Sequence, residues 1–183
     1  MSFADKVSIL RILLIPFFVS SLITYRRFGD TYFKDVALGI FIIAIITDFL
    51  DGLVARIKKE KSSIGKVIDP LADKLLLLTA FISLYFLKFS IPWWVVFVVV
   101  SRDFIILTGV MIFNFLKLDV PIFPSIWGKL TTFFQMFTIL SVLVDFSFSS
   151  FIWSIAVFFT IVSGIDYITR GVRCINVINY PHH

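Results

Sequence analysis

The chain has 183 residues, of which 59% are hydrophobic and 23 are Phe, and its mean hydropathy is +1.00. Soluble domains run nearer ~45–50% apolar even on a count that includes Gly, so composition excludes an ordinary water-soluble domain and points to an integral membrane protein. The formal charge of +5 would suit a nucleic-acid binder, but the charges gather between apolar runs, as expected of loops facing anionic lipid headgroups, and no nucleic-acid partner is expected.

The opening stretch, "MSFADKVSILRILLIPFFVSSLIT", has the charge-then-apolar order of a signal peptide. It lacks a small-x-small cleavage site and further spans follow, so it reads as a retained first helix. A membrane-spanning helix takes roughly 20 mainly apolar residues. Six stretches qualify, at about 9–25, 34–56, 67–88, 91–116, 126–145 and 148–170. Ahead of the first, "SFADKVSI" forms a short amphipathic lead-in expected to lie along the interface. No internal repeat breaks the pattern, and the length suits one domain. The expectation is a single all-α membrane-embedded domain, residues 1–183, with six transmembrane helices and a short N-terminal interfacial helix.

Between those spans, Lys and Arg divide unevenly. One side receives Lys6, Arg11, Arg56, Lys58, Lys59, Lys61, Lys66, Lys117, Lys129, Arg170 and Arg173; the other receives Arg26, Arg27, Lys34 and Lys88. The positive-inside rule therefore places both termini and the loop after Arg56 in the cytoplasm, consistent with a bacterial-type inner membrane.

Four carboxylates stand in or beside the second and third spans. Asp48, Asp51 and Ala55 fall at i, i+3 and i+7, on one helical face, and Asp69 and Asp73 fall at i, i+4 on the next helix. The short "IKKEKSSI" link makes the two helices antiparallel neighbours. A charge at mid-bilayer costs about 2.5–3.5 kcal/mol on insertion scales, and crowded carboxylates repel one another. Two arrangements relieve this: protonation, as in a proton pathway, or paired divalent cations of the kind that support in-line attack at phosphorus. An all-Asp donor set suits Mg²⁺ or Mn²⁺. Cys174 is the only cysteine and His182 and His183 the only histidines, so neither an internal disulfide nor a zinc or copper site of the usual ligands is expected. Gly52, Ala55 and Gly65 keep side chains small around the acids, either to admit a bulky ligand or to let helices approach closely.

Asp48-x-x-Asp51-Gly52-x-x-Ala55-Arg56, eight residues, Gly65, three residues, Asp69, three residues, Asp73 resembles the signature of the CDP-alcohol phosphatidyltransferases at every fixed position. The likeness extends to "DKVSILRILLIPFF", similar to the first helix of the phosphatidylglycerophosphate synthases, and to "DPLADKLL", "SRDFIIL", "WGKLTTFFQM" and "SGIDYITRG". It implies the six-helix fold of that family and transfer of a phosphatidyl group from CDP-diacylglycerol to an alcohol, with CMP released. Glycerol-3-phosphate is the acceptor it favours; phosphatidylglycerol, the acceptor of cardiolipin synthases, is the alternative. The resemblance further implies that Asp48, Asp51, Asp69 and Asp73 hold two Mg²⁺ or Mn²⁺ ions and that Asp73 is also the general base. Ser8, Asp51, Gly52, Ala55, Arg56 and Gly65 would line the CDP pocket, with Arg56 on the diphosphate, and the protein would be a homodimer.

The chain departs from the pattern in its first-helix block and, with more weight, in the acceptor pocket. Asp5 and Ser8 stand where relatives commonly have Asn and Thr, and "GVMIFNF" lacks a cation that glycerol-phosphate users often carry. Arg102, Lys129 and Arg170 are the remaining candidates for the acceptor phosphate. Two of them have a plainer reading: a buried Arg102–Asp103 ion pair, and a Lys129 that snorkels to the interface. Asp166 in the last span fits either a pocket or helix pairing. Trp93 and Trp94 read as an interfacial aromatic belt. A membrane prenyltransferase would carry its two Asp motifs far apart, and an ion transporter would string acids along the pore depth; both are weaker readings of four Asp gathered at one end.

Overall fold

The structure, a computed structural model, describes the backbone of residues 3–58, 65–115 and 125–179, and the side chains of 9–49, 74–109, 111 and 125–173. Six helices follow in order: α1 (Phe3–Phe28), α2 (Thr31–Lys58), α3 (Gly65–Phe86), α4 (Trp93–Phe115), α5 (Ile126–Leu143) and α6 (Ser149–Asn179). No strand occurs among the described residues. Three segments there are long and apolar enough to cross a bilayer, Ile9–Phe28, Ile126–Leu143 and Ser149–Arg173, with a shorter apolar stretch at Lys74–Phe86. The lead-in expected to lie apart along the interface instead continues into α1 without a break, because no Gly or Pro interrupts it before Pro16. Pro16 lacks the N–H that would bond the Ile12 carbonyl, and α1 runs on through it.

The chain forms two compact units. The first comprises Met1–Ser90 and Val142–Phe146, the second Ile91–Ser141 and Ser147–His183. In the first, α1 packs on both α2 and α3. Its reversal takes two residues: Gly29 adopts the left-handed φ of 74°, which only Gly takes without a Cβ clash, and donates to the Tyr25 carbonyl at 2.8 Å. Asp30 then caps α2, its Oδ1 accepting the Tyr32 N–H at 3.0 Å. So tight a turn fixes the register of the α1–α2 hairpin. Pairs symmetric about Gly29–Asp30 meet: Lys34 lies over the Tyr25 ring, 5.6 Å from its centroid, and Phe18 meets Phe41 with centroids 5.7 Å apart. Both partners step by seven residues along their helices. Small residues at Ala37, Ala44 and Ala80 bring the helices close, and Phe18, Leu22, Phe41, Leu77, Phe81 and Leu84 fill the interior. Lys34 also pairs with Asp145 in the turn after α5. Helix α3 ends in a Schellman arrangement, with Phe89 N–H on the Leu84 carbonyl and Lys88 N–H on that of Tyr85, both at 2.9 Å. Lys88 takes the left-handed position usually given to Gly.

The second unit is built differently. Helix α4 packs on α6, with Trp94 and Trp153 in edge contact at 5.1 Å; Trp93 and Trp94 are both exposed, Trp93 the more so. Helix α5 presents Thr131, Gln135 and Thr138, all fully buried, at i, i+4 and i+7. Thr131 Oγ1 lies 2.8 Å from the Phe159 carbonyl of α6, and Gln135 Nε2 donates to Thr160 Oγ1 at 3.4 Å. Phe134 stacks on Phe159 at 4.9 Å. The described interior of the first unit is mainly apolar, with Arg11, Lys34 and Ser83 its buried polar residues, whereas this one is laced with hydroxyls and amides.

Candidate functional site

Two regions carry the residues singled out in the sequence. The acidic motif lies in the first unit. Asp48, Asp51, Gly52, Ala55 and Arg56 belong to α2, and Gly65, Asp69 and Asp73 to α3. The i, i+3 and i, i+4 spacings therefore translate into one helical face each, on the two helices that both pack against α1. The side chains of Ser8, Asp51, Gly52, Ala55, Arg56, Gly65, Asp69 and Asp73 lie outside the described residues. Among the described residues no three His, Cys, Asp or Glu side chains converge; the described member of the acidic set is Asp48.

Asp48 is held by Arg11, which the sequence marks as a cytoplasmic-side charge within the first-helix block "DKVSILRILLIPFF". Arg11 Nη2 sits 2.5 Å from Asp48 Oδ1, with the Arg11 side chain 2% exposed and that of Asp48 34%. The pair is the next rung of the hairpin ladder, symmetric about Gly29–Asp30 and seven residues beyond Phe18–Phe41. A guanidinium inside an apolar helix has to find an anion, and the two-residue turn determines which one. Both signals were present in the sequence.

The acceptor candidates lie in the second unit, where α4, the start of α5 and the second half of α6 meet. Arg102 is buried. Its Nη1 donates to Asp103 Oδ1 at 2.6 Å and its Nη2 to Ser163 Oγ at 2.7 Å, while Nε has no hydrogen-bond partner among the described residues. Two glycines make room for this side chain. A Cβ on Gly128 would lie 3.4 Å from Arg102 Nη2, and one on Gly164 would lie 3.7 Å from Arg102 Cγ. The Arg102–Asp103 ion pair is thus present, in a wider hydrogen-bonded set.

Arg170 Nε donates to Asp166 Oδ1 at 2.8 Å, and Ser125 Oγ donates to Asp166 Oδ2 at 2.5 Å. Asp166 consequently ties α6 to the residue just before α5. Lys129 is exposed, one turn along from Ser125, to whose carbonyl its N–H donates at 3.2 Å. Arg102 thus lies inside, bonded to Asp103 and Ser163, while Arg170 joins Ser125 through Asp166 and Lys129 lies exposed one turn beyond Ser125. Ser125 and Ser163, which bond Asp166 and Arg102, were not foreseen; for Ser163 a polar residue inside an otherwise apolar helix was the available signal.

At Gly109 the Tyr167 ring of α6 packs onto α4 in space that an added Cβ would fill, meeting Tyr167 Cε1 at 2.9 Å. Tyr167 donates its hydroxyl to the Ile106 carbonyl at 3.3 Å.

Comparison with known proteins agrees with the motif. The model of the family described as CDP-alcohol phosphatidyltransferase matches residues 1–162. A Bacillus subtilis protein named CDP-diacylglycerol–glycerol-3-phosphate 3-phosphatidyltransferase is 32% identical, with 96% of this chain and 97% of that protein covered. A Mycobacterium tuberculosis protein named probable phosphatidylglycerophosphate synthase is also 32% identical, over 96% of this chain and 84% of its own length. A Rattus norvegicus protein named cardiolipin synthase (CMP-forming) is 29% identical, over 79% of this chain and 55% of its own length.

Proposed function

This chain belongs to the CDP-alcohol phosphatidyltransferase family and is a membrane phosphatidyltransferase, and on that premise we propose that it moves the phosphatidyl group of CDP-diacylglycerol onto glycerol-3-phosphate, releasing CMP. The observation that carries the choice of acceptor is the likeness, along nearly the whole chain, to relatives whose names state that reaction.

In this reading Asp48, Asp51, Asp69 and Asp73 hold two divalent cations, Mg²⁺ or Mn²⁺. The donor set fits them: four hard carboxylate donors, no His or Cys beside them, on two helices that pack against a common third. When bound, such cations neutralise the diphosphate and stabilise the charge that develops on departing CMP. The chain's own residues do the rest. Asp73 takes the proton from the acceptor hydroxyl, whose oxygen bonds to the phosphorus carrying the diacylglycerol. The bond from that phosphorus to the bridging oxygen breaks, and the electron pair leaves with CMP. No internal His is available to activate a Ser or Cys nucleophile, so transfer is direct, without a phosphatidyl-enzyme. Ser8, Asp51, Gly52, Ala55 and Gly65 line the CDP pocket, Arg56 faces the diphosphate, and Arg102, Lys129 and Arg170 receive the acceptor phosphate.

The same reading makes residues 1–183 one membrane-embedded domain with six spans, its site open to the cytoplasmic face of a bacterial-type inner membrane. The surplus of Lys and Arg around the acidic motif supports that orientation. A homodimer is what the family resemblance implies.

One observation favours a second acceptor: the likeness to the rat protein named cardiolipin synthase (CMP-forming) points to phosphatidylglycerol. Purified protein in lipid nanodiscs, supplied with CDP-diacylglycerol and either acceptor, separates the two. CMP release with glycerol-3-phosphate, yielding phosphatidylglycerophosphate, is expected, and Asp73→Asn should lower it by about 10²–10⁴-fold. Release with phosphatidylglycerol alone would assign the second acceptor, and release with neither would overturn the proposal.

A further inference from the structure

We infer that Arg11 is a positioning residue for Asp48, holding that carboxylate in the orientation in which it serves the cation site; the inference rests on the metal-dependent reading given above. Its basis is the α1–α2 register. Because the chain reverses at Gly29 and Asp30 alone, residues at equal distances from the turn are brought opposite one another. The sequence places Tyr25, Phe18 and Arg11 on α1 against Lys34, Phe41 and Asp48 on α2, each set seven residues apart. The first two rungs are a cation over a ring and an aromatic pair. Arg11 is therefore delivered to Asp48 by the backbone, whatever else the site contains.

At the third rung the contact is charged and one-sided in its exposure. Arg11 is 2% exposed, whereas the Asp48 side chain is 34% exposed and 2.5 Å away. A carboxylate can accept from a guanidinium at one oxygen and serve a cation with its remaining lone pairs. Buried against it, the Arg11 guanidinium restricts the rotamers of Asp48, as residues behind metal ligands do generally. A mere charge-neutralising role would be met equally by Lys; positioning through a planar fork would not.

Mn²⁺ binding to the whole purified protein in nanodiscs, read from the electron paramagnetic resonance of free Mn²⁺, tests this without relying on turnover. Thermal unfolding in the absence of metal is recorded in parallel. Wild type should bind Mn²⁺. Arg11→Lys and Arg11→Met should each weaken binding by roughly 10–100-fold, and Arg11→Met should add nothing in an Asp48→Asn background. Should Arg11→Met fail to fold, Arg11→Lys carries the test. Wild-type affinity in Arg11→Lys and Arg11→Met overturns the inference and leaves the proposed function standing. Lowered thermal stability with unchanged Mn²⁺ affinity makes Arg11 a strut between helices, and tighter binding in Arg11→Met with Arg11→Lys unchanged makes it a simple counter-charge; either overturns the inference. Absence of Mn²⁺ binding in wild type overturns the proposed function and the inference with it.

Discussion

The two units solve the same problem, helix association in hydrocarbon, by different means. The first closes on Phe18, Leu22, Phe41, Phe81 and Leu84, with alanines letting the helices approach. The second buries Arg102, Asp103, Thr131, Gln135, Thr138, Thr160 and Ser163. Lipid tails solvate Phe about as well as a protein interior does, so an apolar seam in a bilayer gains from fit and dispersion rather than from escaping water. A polar seam gains from hydrogen bonds that lipid cannot offer, and loses heavily where a charge is stranded. Mutational costs should therefore rank differently in the two units than in a soluble protein, where large aromatic cores dominate.

The sharpest way to break this contrast is Arg102→Met. It leaves the Asp103 carboxylate buried without its guanidinium, and the expected loss is ~3–5 kcal/mol. Reversible unfolding of the purified protein in mixed micelles measures it. The double replacement Arg102→Met with Asp103→Leu should be more stable than the single one. A smaller effect is expected in the apolar unit. Phe41→Ala forfeits its packing against Phe18 but no transfer from water, so the cost should be on the order of 2 kcal/mol, the cavity contribution alone at ~24 cal/mol per Å³. A loss equal to that of soluble aromatic cores would mean that the hydrophobic effect holds this unit after all. Smallest of all is Gln135→Leu. Gln135 Oε1 has no hydrogen-bond partner among the described residues, and its amide bond to Thr160 is long at 3.4 Å. The change should stay within about 1 kcal/mol of wild type. A larger loss would show that the polar seam depends on every member.

The contrast also explains what the sequence could say. All six helices were legible, since spans drawn from hydropathy at about 9–25 and 148–170 fall inside α1 (Phe3–Phe28) and α6 (Ser149–Asn179) apart from one residue. The structured ends were not, because hydropathy reads the thickness of the hydrocarbon slab whereas a helix stops where its backbone bonds are capped. In the first unit exposed Phe17, Ile43 and Phe49 are as apolar as buried Phe18 and Phe41, so hydrophobicity alone does not reveal the inward face. There the register had to come from the Gly29–Asp30 turn. In the second unit the polar residues themselves marked it, Thr131, Gln135 and Thr138 recurring at helical spacing.

At the site, the acidic pairs were visible because their spacing is local to one helix. The Arg11–Asp48 contact joins two helices, and the Ser125–Asp166 and Arg102–Ser163 bonds join others; such contacts follow only once a turn or a packing partner is known. The Arg102–Asp103 pairing, between neighbours in sequence, was the exception.

The central claim is that the aspartates of α2 and α3 act as a cation-dependent phosphatidyl-transfer site. It is tested most directly by following CMP release from CDP-diacylglycerol, with glycerol-3-phosphate present, as purified protein is stripped with EDTA and then titrated with Mn²⁺ or Mg²⁺. Release should vanish on stripping, return with either cation, and fail to return in Asp69→Asn at the cation concentrations that restore wild type. CMP release that persists after stripping, or that Asp69→Asn recovers like wild type, would contradict the account.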